Sequence, residues 1–222
     1  MTRYASTDAV KELGSDAASI RQKTVTVVGL GALGSAAAEM LARMGVNLRI
    51  IDKDRIYEED LDKLSLFASE HANKFKAKEA KKLLEDINPD IKVKAFHEEL
   101  VENNAFLVDA DVIIECSHNE KTTILVDDAR KETPLVYTRA AGAEGGVLVL
   151  DDTKFSEVRG FLEKHAPEAE DGNVLPTTVK LTAALAVNKA LKVLTGQRHE
   201  KNLLKVNGWT FATDKVTVRK DR

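Results

Sequence analysis

The sequence predicts an α/β protein with a doubly wound, mostly parallel sheet and a short antiparallel C-terminal addition. Three observations lead there. Residues 24–28 are Thr-Val-Thr-Val-Val, a β-branched run of the kind that fills a strand buried on both faces. It leads into Gly29-Leu30-Gly31-Ala32-Leu33-Gly34, a G-x-G-x-x-G loop opening a helical pattern. Apolar strand-like runs then alternate with helical ones as far as residue 150.

The elements follow in order. A helix is expected from Leu33 to Met44, stopped by Gly45, and a second strand from Leu48 to Asp52. A helix over 76–87 ends at Asn88-Pro89, because proline disfavours helix in the residue before it. Ile91–Phe96 and Ala110–Cys116 read as strands and 119–131 as a helix. Pro134–Tyr137 and Gly146–Leu150 read as further strands. Residues 166–177, with Pro167, Gly172 and Pro176, read as a long connection, and Thr177–Thr195 as a long helix stopped by Gly196. Leu203–Val206, Trp209–Phe211 and Val216–Arg219 read as short closing strands. One domain is expected over 1–222, with a nucleotide-binding core at 1–150 and the connection, long helix and closing strands at 151–222.

Composition narrows the function classes. Of 222 residues 43% are apolar, and the net charge is −3, which points to neither a general nucleic-acid binder nor a membrane binder. No apolar run reaches the roughly 20 residues that span a bilayer, and the polar N-terminus carries no signal peptide, so a cytoplasmic protein is expected. Cys116 is the single cysteine, so no structural zinc is expected, and its place at a strand end reads as buried and inert. His71, His97, His165 and His199 are scattered, with no metal-ligand spacing, and Asp127-Asp128 reads as capping or water-facing.

The glycine loop carries the chemistry. Gly29 permits the tight turn, Gly31 lets backbone approach a phosphate, and Gly34 lets the helix sit close to the strand. The unpaired N–H groups at the helix start, from Ala32 and Leu33 onward, suit an anion. Asp52 stands 23 residues after Gly29, placed to accept ribose hydroxyls. The motif alone leaves the nucleotide open between NAD and others. Lys76 adds a discriminating feature. On a helix wheel at about 100° per residue it shares the face of Ala80, Leu83, Leu84 and Ile87, whereas Lys78, Lys81 and Lys82 fall opposite. A lysine on the inward side of a helix start needs a partner, and a phosphate is a good one; the alternative is a lysine snorkelling from a frayed helix end.

These features, with Asp52-Lys53-Asp54, Arg3-Tyr4 lying 26 residues before Gly29, Ile87-Asn88-Pro89, Glu115-Cys116-Ser117-His118-Asn119 and Lys192–Gly196, resemble the ThiF/MoeB/HesA family. The resemblance implies a Rossmann-like domain of ThiF type. It implies an ATP-binding adenylyltransferase that uses Mg2+ and activates a carboxylate as its acyl-adenylate. The carboxylate is the C-terminus of a ubiquitin-like sulfur carrier or a small-molecule acid, and the enzyme is a homodimer. It places Gly29, Gly31, Ala32, Leu33, Gly34, Asp52, Asp54, Lys76, His118 and Asn119 at the nucleotide, with Lys76 and Lys63 catalytic. This chain departs from the pattern where Lys63 stands for an arginine, Leu64 for a glutamine, Ser6 for the arginine lent across the dimer, and His118 for the aspartate associated with magnesium. Glu115, Glu120 or Asp127 is a candidate replacement for that acid. Two other readings stay open: a non-catalytic nucleotide-binding scaffold of the same family, and an NAD-dependent oxidoreductase.

Overall fold

The computed structural model of the protein describes residues 3–14, 17–168 and 172–220. Its strands are β1 Thr24–Val28, β2 Asn47–Ile51, β3 Val93–Phe96, β4 Val112–Glu115, β5 Leu135–Ala141, β6 Glu144–Leu150, β7 Asn202–Asn207 and β8 Thr213–Thr217. They form one eight-stranded sheet in the order β3-β2-β1-β4-β5-β6-β7-β8. Pairings from β3 through β5 are parallel, and those from β5 through β8 antiparallel. The helices are α1 Ala5–Asp8, α2 Ala32–Arg43, α3 Lys76–Ile87, α4 Glu120–Ala129, α5 Arg159–His165 and α6 Pro176–Leu194.

Side-chain alternation along the strands builds two cores. Val25, Val27, Leu48, Ile50, Val112, Ile114 and Val136 point to one face, where α2, α3 and α6 cover them with Leu41, Ala80, Ala183 and Val187. Val28, Ile51, Ile113, Leu135 and Tyr137 point to the other, where Val126 of α4 and Phe161 of α5 cover them. The strands between the two layers therefore need an apolar residue at nearly every position, which is why they read as continuous runs.

The fold class matches the sequence expectation, with local differences. The sheet turns antiparallel at the β5–β6 hairpin, where Ala141 pairs with Glu144 across two residues and Gly142 takes φ +54°, so the antiparallel part begins before the C-terminal strands. The expected strand Trp209–Phe211 is instead the turn between β7 and β8. The Asn207 side chain accepts the N–H groups of Trp209 at 3.0 Å and Thr210 at 2.9 Å, folding the chain back, and Trp209 and Phe211 are left exposed at the tip. Helix α5 precedes the long connection, whose residues 169–171 lie outside the described residues.

Two of the sequence motifs explain each other. The Tyr4 hydroxyl lies 2.9 Å from Asn88 Nδ2, and the Arg3 guanidinium donates to the Ile87 carbonyl at 2.8 Å. Asn88, fully buried, also donates to the Ala42 carbonyl at 2.6 Å, while its Oδ1 accepts from the Asp90 N–H. Arg3-Tyr4 thus clamps the N-terminal segment onto the ends of α2 and α3 and does not touch the crevice at the strand ends. Asn88→Ala removes one of the two donors to the Ala42 carbonyl, which keeps the Gly45 N–H at 3.0 Å, and also the contact with Tyr4, at a cost of about 1 kcal/mol. Urea unfolding of the variant should show that loss, and an unchanged midpoint would remove Asn88 as the junction.

Candidate functional site

In the parallel half of the sheet the chain leaves β1 toward β2 on one side and returns as β4 on the other. That reversal opens a crevice outside the C-terminal ends of β1 and β4, the usual ligand site of doubly wound sheets. Gly29 follows β1 there with φ +84°, and a Cβ on it would lie 2.8 Å from the Cα of Ser117, just past β4. Gly34 sits in the first turn of α2, where a Cβ would be 1.8 Å from the Gly29 carbonyl oxygen. Gly31, the residue before α2, has open space where its Cβ would be. The N–H groups at the start of α2 have no carbonyl within the helix to bond, and the first intrahelical bond is donated by Ser35.

A cavity of about 1050 Å³ runs past Gly29, Gly31, Asp52, Asp54, Lys76, Ser117, Asn119 and Asp128. Asp52 is buried at its inner wall. It accepts the Leu30 N–H at 2.6 Å and the Asp54 N–H at 2.7 Å, which fixes the carboxylate to the glycine loop. Burial raises its pKa, against the opposing pull of those N–H groups and of the Lys76 charge. Lys76 opens α3, is 7% exposed, and lines the same cavity. Among the described residues its ammonium has no hydrogen-bond or ion-pair partner. Asn119 caps α4 by accepting the Thr122 N–H at 3.1 Å.

A second cavity, of about 570 Å³, meets the first at Gly31, Cys116 and Ser117. Ala32, Leu33, Lys63, His118, Glu120, Tyr137, Arg139 and Arg159 line it. Lys63 is ion-paired with Asp60 at 2.7 Å. His118 takes a left-handed backbone at φ +53° and faces the cavity. The residue is more than a third exposed, and the nearby cavity walls and the Arg139 charge lower its pKa. The imidazole is therefore neutral near pH 7.

Between the cavities lies a network that sequence reasoning missed. Glu115, fully buried, accepts the Ser117 N–H at 2.7 Å and the Ser117 hydroxyl through one oxygen. Its other oxygen accepts from Arg139 at 2.9 Å and from the Thr123 hydroxyl at 3.1 Å. Glu115 is thus not a free replacement for the acid lost at His118. Asp127 is not one either, and it does not face water: it is buried, paired with Arg130 at 2.7 Å, and accepts the Phe155 N–H. Asp128 does reach the first cavity, and Glu120, in the second, is paired with Arg159 at 2.8 Å. Arg139 and Arg159 gave no signal in the sequence, because nothing in the local pattern separates a cavity arginine from a surface one. Leu64 is a core residue, and Ser6 lies exposed on α1.

A family model described as the ThiF family matches residues 4–222. The chain belongs to the ThiF family. Within it, the chain is similar to the sulfur carrier protein ThiS adenylyltransferase of Bacillus subtilis, 27% identical over 200 residues, covering 86% of this chain and 60% of that one. It is also similar to the vegetative HesA protein of Trichormus variabilis, 28% identical over 183 residues, covering 80% and 69%. The chain spans 43% of the adenylyltransferase and sulfurtransferase UBA4 of Lodderomyces elongisporus, at 27% identity over 82% of this chain. Among solved structures, Escherichia coli MccB with ATP has the same fold, with a TM-score of 0.82 at 15% identity over 99% of this chain and 72% of that one.

Cys116 is buried in this ThiF-family chain, and burial pushes its thiol up to about 12. Against a starting value of 9.0, that leaves roughly a thousandfold less thiolate at neutral pH. Ellman's reagent should label the folded protein far more slowly than the unfolded one, and equal rates would contradict an enclosed thiol. His118 gives a pH expectation. The folded chain takes up this proton at lower pH than the unfolded one, so stability falls as pH drops below the ordinary 6.5, by a small amount because the residue is more than a third exposed. His118→Gln should lose less melting temperature below that pH than wild type, and parallel curves would count against the shift.

Proposed function

We propose that the chain is an ATP-dependent adenylyltransferase that activates a carboxylate as its acyl-adenylate. One observation carries the reading: Lys76, 7% exposed, presents its ammonium, without a hydrogen-bond or ion-pair partner among the described residues, to the cavity beside the Asp52-held glycine loop. A nucleotide phosphate there gains a charge-assisted contact. In this reading Asp52 takes the ribose hydroxyls and the N–H groups from Ala32 and Leu33 take phosphate oxygens. Gly29, Gly31 and Gly34 shape the loop, Asn119 and Asp54 border the nucleotide, and Lys63 and His118 border the acid. The acid enters by the second cavity. Its carboxylate oxygen attacks the α-phosphorus, a new O–P bond forms, and the bond from that phosphorus to the bridging oxygen breaks, its electron pair leaving with pyrophosphate. No proton has to move, so the protein's task is positioning and neutralising charge.

The substrate is a ubiquitin-like sulfur carrier's C-terminal carboxylate or a small acid or peptide. The relatives' names support that range: the Bacillus protein is named for the carrier ThiS, and one MccB structure was solved with the MccA variant MccA-N7isoASN. The Cys116 thiol, pushed up to about 12, is a poor nucleophile for taking the acyl group, so the adenylate leaves or passes to another protein. Pairing of two copies belongs to the same reading, as does a cytoplasmic site of action. No described helix is long and apolar enough to cross a membrane. Magnesium would come with ATP. Among the described residues no three His, Cys, Asp or Glu side chains stand together to hold a metal, Asp52 is assigned to the ribose, and His118 offers a nitrogen that suits magnesium poorly. These residues do not form a magnesium cage, and no step here runs through one. The neutral His118 favours one second reading, a nucleotide-binding scaffold without turnover.

Pyrophosphate exchange into ATP, run with a Gly-Gly-ending carrier and with small acids, tests the reading. Wild type should exchange with at least one of them and bind ATP more tightly than NAD by calorimetry. Lys76→Ala should lose about tenfold or more in ATP affinity while remaining folded, because a charge-assisted phosphate contact is worth about 1.5–3 kcal/mol. Tighter NAD binding, or ATP affinity untouched in Lys76→Ala, overturns it, and ATP binding with no exchange on any acid favours the scaffold.

A further inference from the structure

The geometry points to Arg139 as the residue that grips the reacting carboxylate of the substrate, through donors that the protein leaves unspent. This assignment takes from the reading above only the premise that an acid enters the second cavity. A guanidinium carries five N–H donors in a fixed fork. In Arg139, Nη1 spends its two on Glu115 at 2.9 Å and on the Thr138 carbonyl at 2.8 Å. Nη2 spends one on the Thr123 hydroxyl at 3.3 Å. The Nε–H and the second Nη2–H have no acceptor among the described residues. Nε is not sealed in the interior either, since it is absent from the enclosed atoms that lack partners. The side chain is 13% exposed, and the exposed part lines the second cavity.

The rest of the side chain is immobilised. The Tyr137 ring lies 4.3 Å from the guanidinium carbon, and Glu115 holds the far edge. A preorganised fork with two parallel donors free is the shape that receives a carboxylate in two-point contact. The other cations of that cavity are committed elsewhere. Lys63 is paired with Asp60, and Arg159 with Glu120 and Glu163. Position supports the assignment as well, because Glu115 ties Arg139 to Ser117, which lines both cavities. A carboxylate on Arg139 is therefore held close to the boundary where the glycine loop presents its N–H groups.

Calorimetry tests this with N-acetylglycine, a carboxylate without a competing amine, titrated into protein saturated with α,β-methylene-ATP. Arg139→Lys keeps a charge opposite Glu115 and loses the fork. Arg139→Leu combined with Glu115→Gln removes both charges, so neither is left buried alone. N-acetylglycine affinity should fall about tenfold or more in both. Affinity of Arg139→Lys for α,β-methylene-ATP should stay at the wild-type value, and its melting temperature should fall while leaving a cooperatively folded protein. Unchanged N-acetylglycine binding in either folded variant overturns the assignment, as does no binding by wild type. A parallel loss of nucleotide affinity in Arg139→Lys also overturns it, by making Arg139 a prop for the Ser117 turn. Binding is read without turnover. If wild type binds the probe, Arg139→Lys does not, and neither exchanges pyrophosphate, the adenylation reading fails and the Arg139 assignment stands.

Discussion

The site depends on how closely the ends of β1 and β4 approach. No side chain fits between Gly29 and the backbone of Ser117, and none fits between Gly34 and the Gly29 carbonyl. The two contacts press the phosphate loop between the first turn of α2 and the residue after β4, so its N–H groups keep a fixed direction. Fixed N–H groups of this kind are the condition under which backbone dipoles are most effective toward an anion.

Two buried carboxylates maintain this approach, one from each side. Asp52 is held by the N–H groups of Leu30 and Asp54, which links β2 to the loop after β1. Glu115 holds Ser117 and Arg139, which links β4 to β5. Neither anion is isolated in the interior, because each has several donors, and that is the condition for tolerating a buried charge. Asp52 and Glu115 are thus satisfied by protein donors, while Lys76 has no hydrogen-bond or ion-pair partner among the described residues; Asp54, Glu102 and Asp128 line the same cavity. The proposal of a phosphate ligand rests on Lys76 and the glycine-loop N–H groups together.

Charge placement differs again in the second cavity. Ion pairs fix Lys63 and Arg159 to carboxylates of the protein, and His118 is neutral near pH 7. Of the positions where this chain departs from the family pattern, Leu64 has gone to the core and Ser6 to an exposed helix. Arg139 on β5 brings a guanidinium into the cavity that Lys63 also lines.

The sequence by itself determined the parallel half of the sheet, the glycine loop, Asp52 and the inward face of Lys76. Those features are local: β-branched runs, glycine spacing and helical periodicity act within a dozen residues and read directly. Tertiary structure decided the rest. Trp209–Phe211 has strand-like composition, but Asn207 captures two N–H groups and turns the chain, a competition that composition does not reveal. Arg3-Tyr4 and Asn88 look like separate motifs until folding brings residues 84 apart into hydrogen-bond contact. Glu115 looked free until its partners arrived from β5 and α4. Arg139 could not be singled out at all, because the value of a guanidinium lies in which of its five donors the fold leaves unspent.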